Sequence, residues 1–402
     1  MKVIEPEKKY DFWFRNGHVI DPARNIDEVT DVLVKGNKVV PAPENGQVNP
    51  EDVKEVIECN GYFVFPGLID HHAHFSWNFN LTGVEPDLYT LPNGVTSCHD
   101  AGSVGSSGFE AFVRSTIYPA LVTMKASINV ASGGLCTPQY MEDIRPENYD
   151  EKGLEDLFNR YSQHIYGLKL RLGKDISDGM GVEPLKASVK LARKLNTRLS
   201  VHATYPLTPM QDIVNEMGEG DVLCHTFQKM GEYNILDANN KVLPEVLEAR
   251  ERGVIFDCAH GRIHCCFPLA QAAIEQGFMP DCISTDLITF SVYQERLFSL
   301  PVVMTRLWTL GMPLTEVIRA TTETPAKLMG MEGEIGTLKP GAFADITVMK
   351  IEDREFTFTD SYGNSLPAHH IMIPQMTMKN GKTRYRHIDF TEMFGLVKGR
   401  EV

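Results

Sequence analysis

Eight short apolar stretches, most ending in polar residues, recur between residues 64 and 286 and alternate with helix-like stretches. They are VFPGLIDHHAH (64–74), GVTSCHD (94–100), KASINVA (125–131), YGLKLRL (166–172), RLSVHA (198–203), DVLCHT (221–226), GVIFDCA (253–259) and DCISTD (281–286). Parallel strands need a long crossover between them, and segments such as EPLKASVKLARKLN, just after Gly181, have the helical spacing to supply it. Eight such units close into a (β/α)8 TIM barrel, whose active site lies at the C-terminal ends of the strands. The polar residues gather at those ends.

The flanks have a different texture. FWFRNGHVID, TDVLVKGNKVV and KEVIECNGYFV are alternating runs broken by Gly, Asn and Pro, and the style returns in GEIGTLKPGAFADITVMK. The expectation is an α/β chain with a barrel over 64–339, and residues 1–63 and 340–402 forming one small discontinuous β-sandwich domain. The 402 residues suit a barrel of about 250 plus such a companion. With 39 Lys+Arg against 53 Asp+Glu, the formal net charge of −14 repels nucleic acid and anionic membrane surfaces alike. No apolar run is long enough for a membrane span, and MKVIEPEKKYDFWF carries charges where a signal core would sit. The expected setting is cytoplasmic, with a small-molecule substrate and with a homo-oligomer left open. Eight cysteines, none in a CxxC pair, read as reduced packing residues.

Strand alternation in LIDHHAH puts Asp70, His72 and His74 on one face, and Ile69, His71 and Ala73 on the other. Two inward imidazoles need a partner, and a divalent metal is one; taken alone, the pair could equally lie beyond the end of an ordinary strand. In YGLKLRL, Leu168, Leu170 and Leu172 share the helix-facing side, which turns Lys169 and Arg171 into the barrel. A buried cationic pair is costly. A lysine amine kept neutral can add carbon dioxide and become a carbamate that bridges two metal ions; the alternative is a lysine that snorkels to a loop carboxylate. His202 and His225 end the fifth and sixth strands and Asp286 ends the eighth. Together with His72, His74 and Lys169 they supply ligands for two divalent ions, with zinc the expected metal.

PGLIDHHAH resembles the PGxIDxHxH signature of the amidohydrolase superfamily, and TETPAKLMGM and GEIGTLKPGAFADITV resemble that family's last barrel helix and its return to the β-sandwich. The array His72, His74, Lys169, His202, His225 and Asp286 is similar to the binuclear type with a carboxylated lysine. GVTSCHDAGS, GLKLRLG and DCAHGRIHCCF most resemble the deacetylase and dihydroorotase-like members, some of which are labelled adenine deaminases. Where that subgroup carries a Gly- and Ser-rich stretch, this chain has the bulkier run His260 to Phe267. His260 is the candidate to hydrogen-bond a substrate carbonyl or leaving group, while His264 is expected to pack in the following loop or helix.

The resemblance implies hydrolysis at an sp2 carbon. Two cations about 3.5–4 Å apart generate hydroxide at neutral pH and polarise the carbonyl it attacks. Asp286 is the expected proton carrier. Arg171 either binds a substrate carboxylate or pairs with a neighbouring carboxylate such as Asp100. The favoured reaction is removal of an acyl group from a small acidic amide or ester. A dihydroorotase-like cyclic amidohydrolase comes second and an adenine-type deaminase third.

Overall fold

The computed structural model describes residues 7–44, 46–135, 142–177, 179–293 and 298–393. Cys136 and the end of the expected C-terminal segment lie outside them. Seven parallel strands follow one another in chain order: β6 (Leu68–Ala73), β7 (Val95–Asp100), β8 (Thr123–Asn129), β9 (Ile165–Leu172), β10 (Leu199–Ala203), β11 (Val222–Cys224) and β12 (Ile255–Asp257). The eighth segment is no regular strand. It closes the ring through two isolated parallel bridges, Asp257 to Cys282 and Ala73 to Leu287. The Asp286 amide donates to His72 O, and the His74 amide to Leu287 O. Asp70 tightens the same seam by accepting from the amide (3.0 Å) and hydroxyl (2.6 Å) of Thr285.

The loss of strand regularity has a local cause. His225, Ala259 and Asp286 all have positive φ (62°, 36° and 52°), a conformation that costs any residue with a Cβ and that ends a ladder. β11 and β12 therefore stop one or two residues short of these positions. Leu168 and Leu170 are wholly buried in the main apolar cluster, beside Leu185 and Leu191 of the helix Glu183–Lys194. Full burial stabilises by roughly 1.5–3 kcal/mol per leucine, which is what holds Lys169 on the lumen side.

The second sheet has the order β15-β14-β13-β5-β1-β2-β3. Its strands are β1 (Tyr10–Asp21), β2 (Ile26–Lys35), β3 (Lys38–Val40), β5 (Phe63–Pro66), β13 (Ile346–Thr359), β14 (Ser365–Lys379) and β15 (Lys382–Arg386), and β4 (Val53–Glu58) branches off β1. Strands from the two ends of the chain meet where β5 pairs with β13. Phe14, Ile57, Val64, Ile346, Val348, Met376 and Met378 form its core. The stretch 64–74 is thus two strands. It splits at Gly67, where an added Cβ would lie 2.2 Å from Thr96 Oγ1. Among the described residues, no helix is long and apolar enough to cross a membrane.

Candidate functional site

Strict alternation fails in β6. Its pairing with β7 slips between Asp70 and Ala73, so that an extra residue is accommodated and both His71 and His72 face the lumen. His71 is therefore not on the outer face. It sits deep in the barrel, with Nδ1 3.0 Å from Asp257 Oδ2 and Nε2 2.7 Å from Tyr166 Oη. His72 and His74 occupy the layer above.

In that upper layer Asp286 is the hub. Its Oδ1 lies 3.3 Å from His74 Nε2 and 3.7 Å from His72 Nε2, while its Oδ2 lies 3.4 Å from His264 Nε2. The His225 ring packs 4.0 Å from His264 and 4.3 Å from His202, centroid to centroid. Lys169 Nζ is 3.4 Å from His72 Nε2 and 3.7 Å from Cys224 Sγ. The structure thus brings together all six residues named from the sequence as metal ligands, and adds His264. The expectation that His264 merely packs in a loop is corrected: its Nδ1 is held 2.9 Å from Thr204 Oγ1, which aims the ring at Asp286. No spacing rule reaches it, because it lies on an irregular segment beyond the seventh strand; the histidine itself was the only signal.

Three imidazoles have one nitrogen anchored and the other directed inward. His74 Nδ1 meets Ser103 Oγ at 2.8 Å, and Ser103 is itself held by Asp100. His225 Nδ1 donates to Ala259 O at 2.7 Å, leaving its buried Nε2 without a hydrogen-bond partner. His264 is the third. A hydrogen bond from the far nitrogen that fixes ring and tautomer is the usual support of a metal-binding histidine. Burial holds His72, His202 and His225 well below the usual imidazole range, and His264 at about 4, so their lone pairs are free. Burial by itself would raise the Asp286 carboxyl, but hydrogen bonding with His74 and the nearby imidazoles hold it at about 2. Imidazoles around one carboxylate are a donor set for borderline divalent metals, and two groups satisfy the geometry: His72, His74 and Asp286, and His225, His264 and Asp286. The residues fit a metal cluster.

Two glycines make room. Gly102 has φ +84°, and a Cβ there would lie 2.4 Å from Lys169 Cβ; a Cβ on Gly261 would lie 2.6 Å from Asp286 Oδ2. The layer opens into a cavity of about 410 Å³ whose wall includes His74, Lys169, Arg171, His202 and Asp286. Arg171 does not pair with Asp100. Its Nε donates to the buried Glu142, and Nη2 lies 3.3 Å from Asp175 Oδ2. Asp100 instead accepts from the amides of Phe75, Gly102 and Ser103. His260 faces a separate cavity, with Nδ1 on Gly261 O and Nε2 3.3 Å from Arg306 Nη1.

The comparisons agree with this geometry. Residues 63–384 match the amidohydrolase family. A deacetylase from Agrobacterium fabrum is 30% identical over 340 residues, 83% of this chain and 82% of that protein. A deacetylase from Brucella anthropi is 30% identical over 343 residues, 84% and 83% respectively. A crystal structure of an adenine deaminase superposes with a TM-score of 0.83 at 26% identity, covering 94% of this chain and all of the other. A dihydroorotase crystal structure gives the same score and identity over 93% and 99%. With a family match across most of the chain and a ligand-rich cavity at the barrel rim, the protein belongs to the amidohydrolase family and is a hydrolase.

Proposed function

We propose that the chain is a binuclear metal-dependent acyl hydrolase, cleaving the amide or ester of a small acid. The observation that carries this reading is the set of buried imidazoles whose outer nitrogens are anchored, with Asp286 beside the inner nitrogens of His74 and His264. His72, His74 and Asp286 would hold one zinc ion, and His202 and His225, with His264 beside them, the other. Lys169, as a carbamate, would lie between. Bound there, the ions supply a nucleophile at neutral pH and polarise the scissile carbonyl.

The chain's own residues do the rest. Asp286, held as a carboxylate, takes the proton lost by the attacking water and returns it to the leaving nitrogen or oxygen. Arg171 keeps Glu142 and Asp175, so it shapes the cavity wall. Likeness to the deacetylases over most of both chains supports acyl removal, and likeness to a dihydroorotase structure keeps cyclic amides as the second reading.

The test is a panel of N-acetyl amino acids of both hands, acetylated 2-hydroxy acids, dihydroorotate and adenine, offered to zinc-loaded enzyme. Turnover of an acylated acid, with two metals per chain by plasma mass spectrometry, is the expected result. Turnover of dihydroorotate or adenine alone would overturn it.

A further inference from the structure

Beside the metal cavity lies a second one, of about 830 Å³, that the proposed reaction does not use. Among the described residues, two buried polar atoms in its wall have no hydrogen-bond partner, Ser291 Oγ and Arg306 Nε. Ser291 is 1% exposed. Arg306, on the helix Leu300–Thr309, is a mostly buried cation with no carboxylate within 4 Å among the described residues, and burial pulls its pKa down. Its guanidinium is nonetheless fixed: Phe298 and Phe358 flank it at 5.2 and 4.9 Å, and Nη1 lies 3.3 Å from His260 Nε2. His260 Nδ1 faces Gly261 O, so it carries the proton and Nε2 accepts from Arg306.

The carboxylate lining this cavity, Asp360, is committed elsewhere. Its oxygens accept from the amides of Phe267, Tyr362 and Asn364 and from Asn364 Nδ2. A partly buried guanidinium with no carboxylate partner among the described residues, and an unsatisfied hydroxyl in the same wall, leave donors that an anion would complete. The planar fork of a guanidinium matches a carboxylate. Gly261 lines this cavity and lies so near the metal layer that a Cβ on it would come within 2.6 Å of Asp286 Oδ2.

We propose that this second cavity is a carboxylate site, in which Arg306, oriented by His260 and its two phenylalanines, and Ser291 hold the acid group of a ligand next to the metal centre. Resting on the acyl-hydrolase reading, this assigns substrate acidity to Arg306 and not to Arg171. The carboxylate comes either from the substrate or from a separate small acid.

Calorimetric titration of zinc-loaded enzyme with benzoate, and with neutral benzyl alcohol, tests it. Arg306→Met should weaken benzoate at least tenfold and Arg306→Lys less, with benzyl alcohol unmoved. Ser291→Ala, which removes one hydroxyl and is expected to fold, should weaken benzoate several-fold. Equal benzoate affinity in the unsubstituted chain, Ser291→Ala and any Arg306 variant that folds would overturn the site. If the substrate supplies the carboxylate, benzoate competes with it, and Ser291→Ala raises KM for an acetylated 2-hydroxy acid but not for its methyl ester. If a separate acid supplies it, benzoate binds without competing. Failure of the whole substrate panel while benzoate still binds through Arg306 would sink the acyl-hydrolase reading and leave the site standing.

Discussion

His71 and His72 are neighbours on one strand, face one lumen, and have opposite chemistry. Below, His71 meets Asp257 and Tyr166, and His99 meets His71 O and Ser127 Oγ, so each of the four ring nitrogens has a protein partner. Above, His74 and His264 are each anchored at one nitrogen and turn the other toward Asp286, which His72 Nε2 also approaches. Burial keeps His99 neutral just as it does His72. What distinguishes the layers is the completeness of their hydrogen bonding. The lower layer is finished as protein, and the upper layer leaves the kind of ring nitrogens a metal ion would complete.

The sharpest way to break that contrast is at the hub. Asp286→Asn should cut turnover at least about 10²–10⁴-fold, the usual worth of an acid–base group, while mass spectrometry still finds most of the metal. Near-normal turnover would remove its role. Lys169→Ala should lose one metal and most activity, with partial recovery in added short carboxylic acids; full metal content after the substitution would contradict the bridge.

Next comes a paired test. His225→Asn should lose metal yet leave the metal-free fold within about 1 kcal/mol, since its inner nitrogen has no partner to lose among the described residues. His71→Asn should keep the metals but destabilise by about 2–4 kcal/mol, because Asp257 is left buried without its cation-capable partner. Denaturant titration alongside metal analysis reads both, and the reverse pattern would mean the layers had been assigned backwards.

Smaller effects are expected at the edges. Gly261→Ala drives a methyl group toward Asp286 and His264 at a left-handed φ of +50°, which should cost about 1–3 kcal/mol of stability and lower kcat more than it raises KM. Arg171→Met should cost about 1–3 kcal/mol by leaving the buried Glu142 with Asn129 Nδ2 alone among the described residues, and should lower turnover of acidic and neutral esters equally. A loss confined to acidic esters would return the carboxylate to Arg171 and weaken the case for Arg306.

The barrel was legible because its eight strand stretches carry the period of two and their crossovers the period of 3.6. Leu168, Leu170 and Leu172 showed which way Lys169 must point, and it points there. The same rule misplaced His71, because a slipped register adds a residue that no propensity announces. It also drew 64–74 as one strand and 281–286 as a regular one, where a close approach at Gly67 and a left-handed Asp286 intervene. His264 was passed over because it lies in an irregular segment, where sequence spacing says nothing about direction.

By itself, then, the sequence determined the layer order of the fold and the residue types gathered at one rim of the barrel, because periodicity is local and strand ends follow from it. Tertiary structure alone decided which histidines are spent on protein partners and which are left to bind, which carboxylates claim Arg171, and that Arg306 and Ser291 share a wall with His260. Those choices depend on atoms brought together from strands far apart in the chain, and the hydrogen bonds that settle them exist only once the barrel has closed.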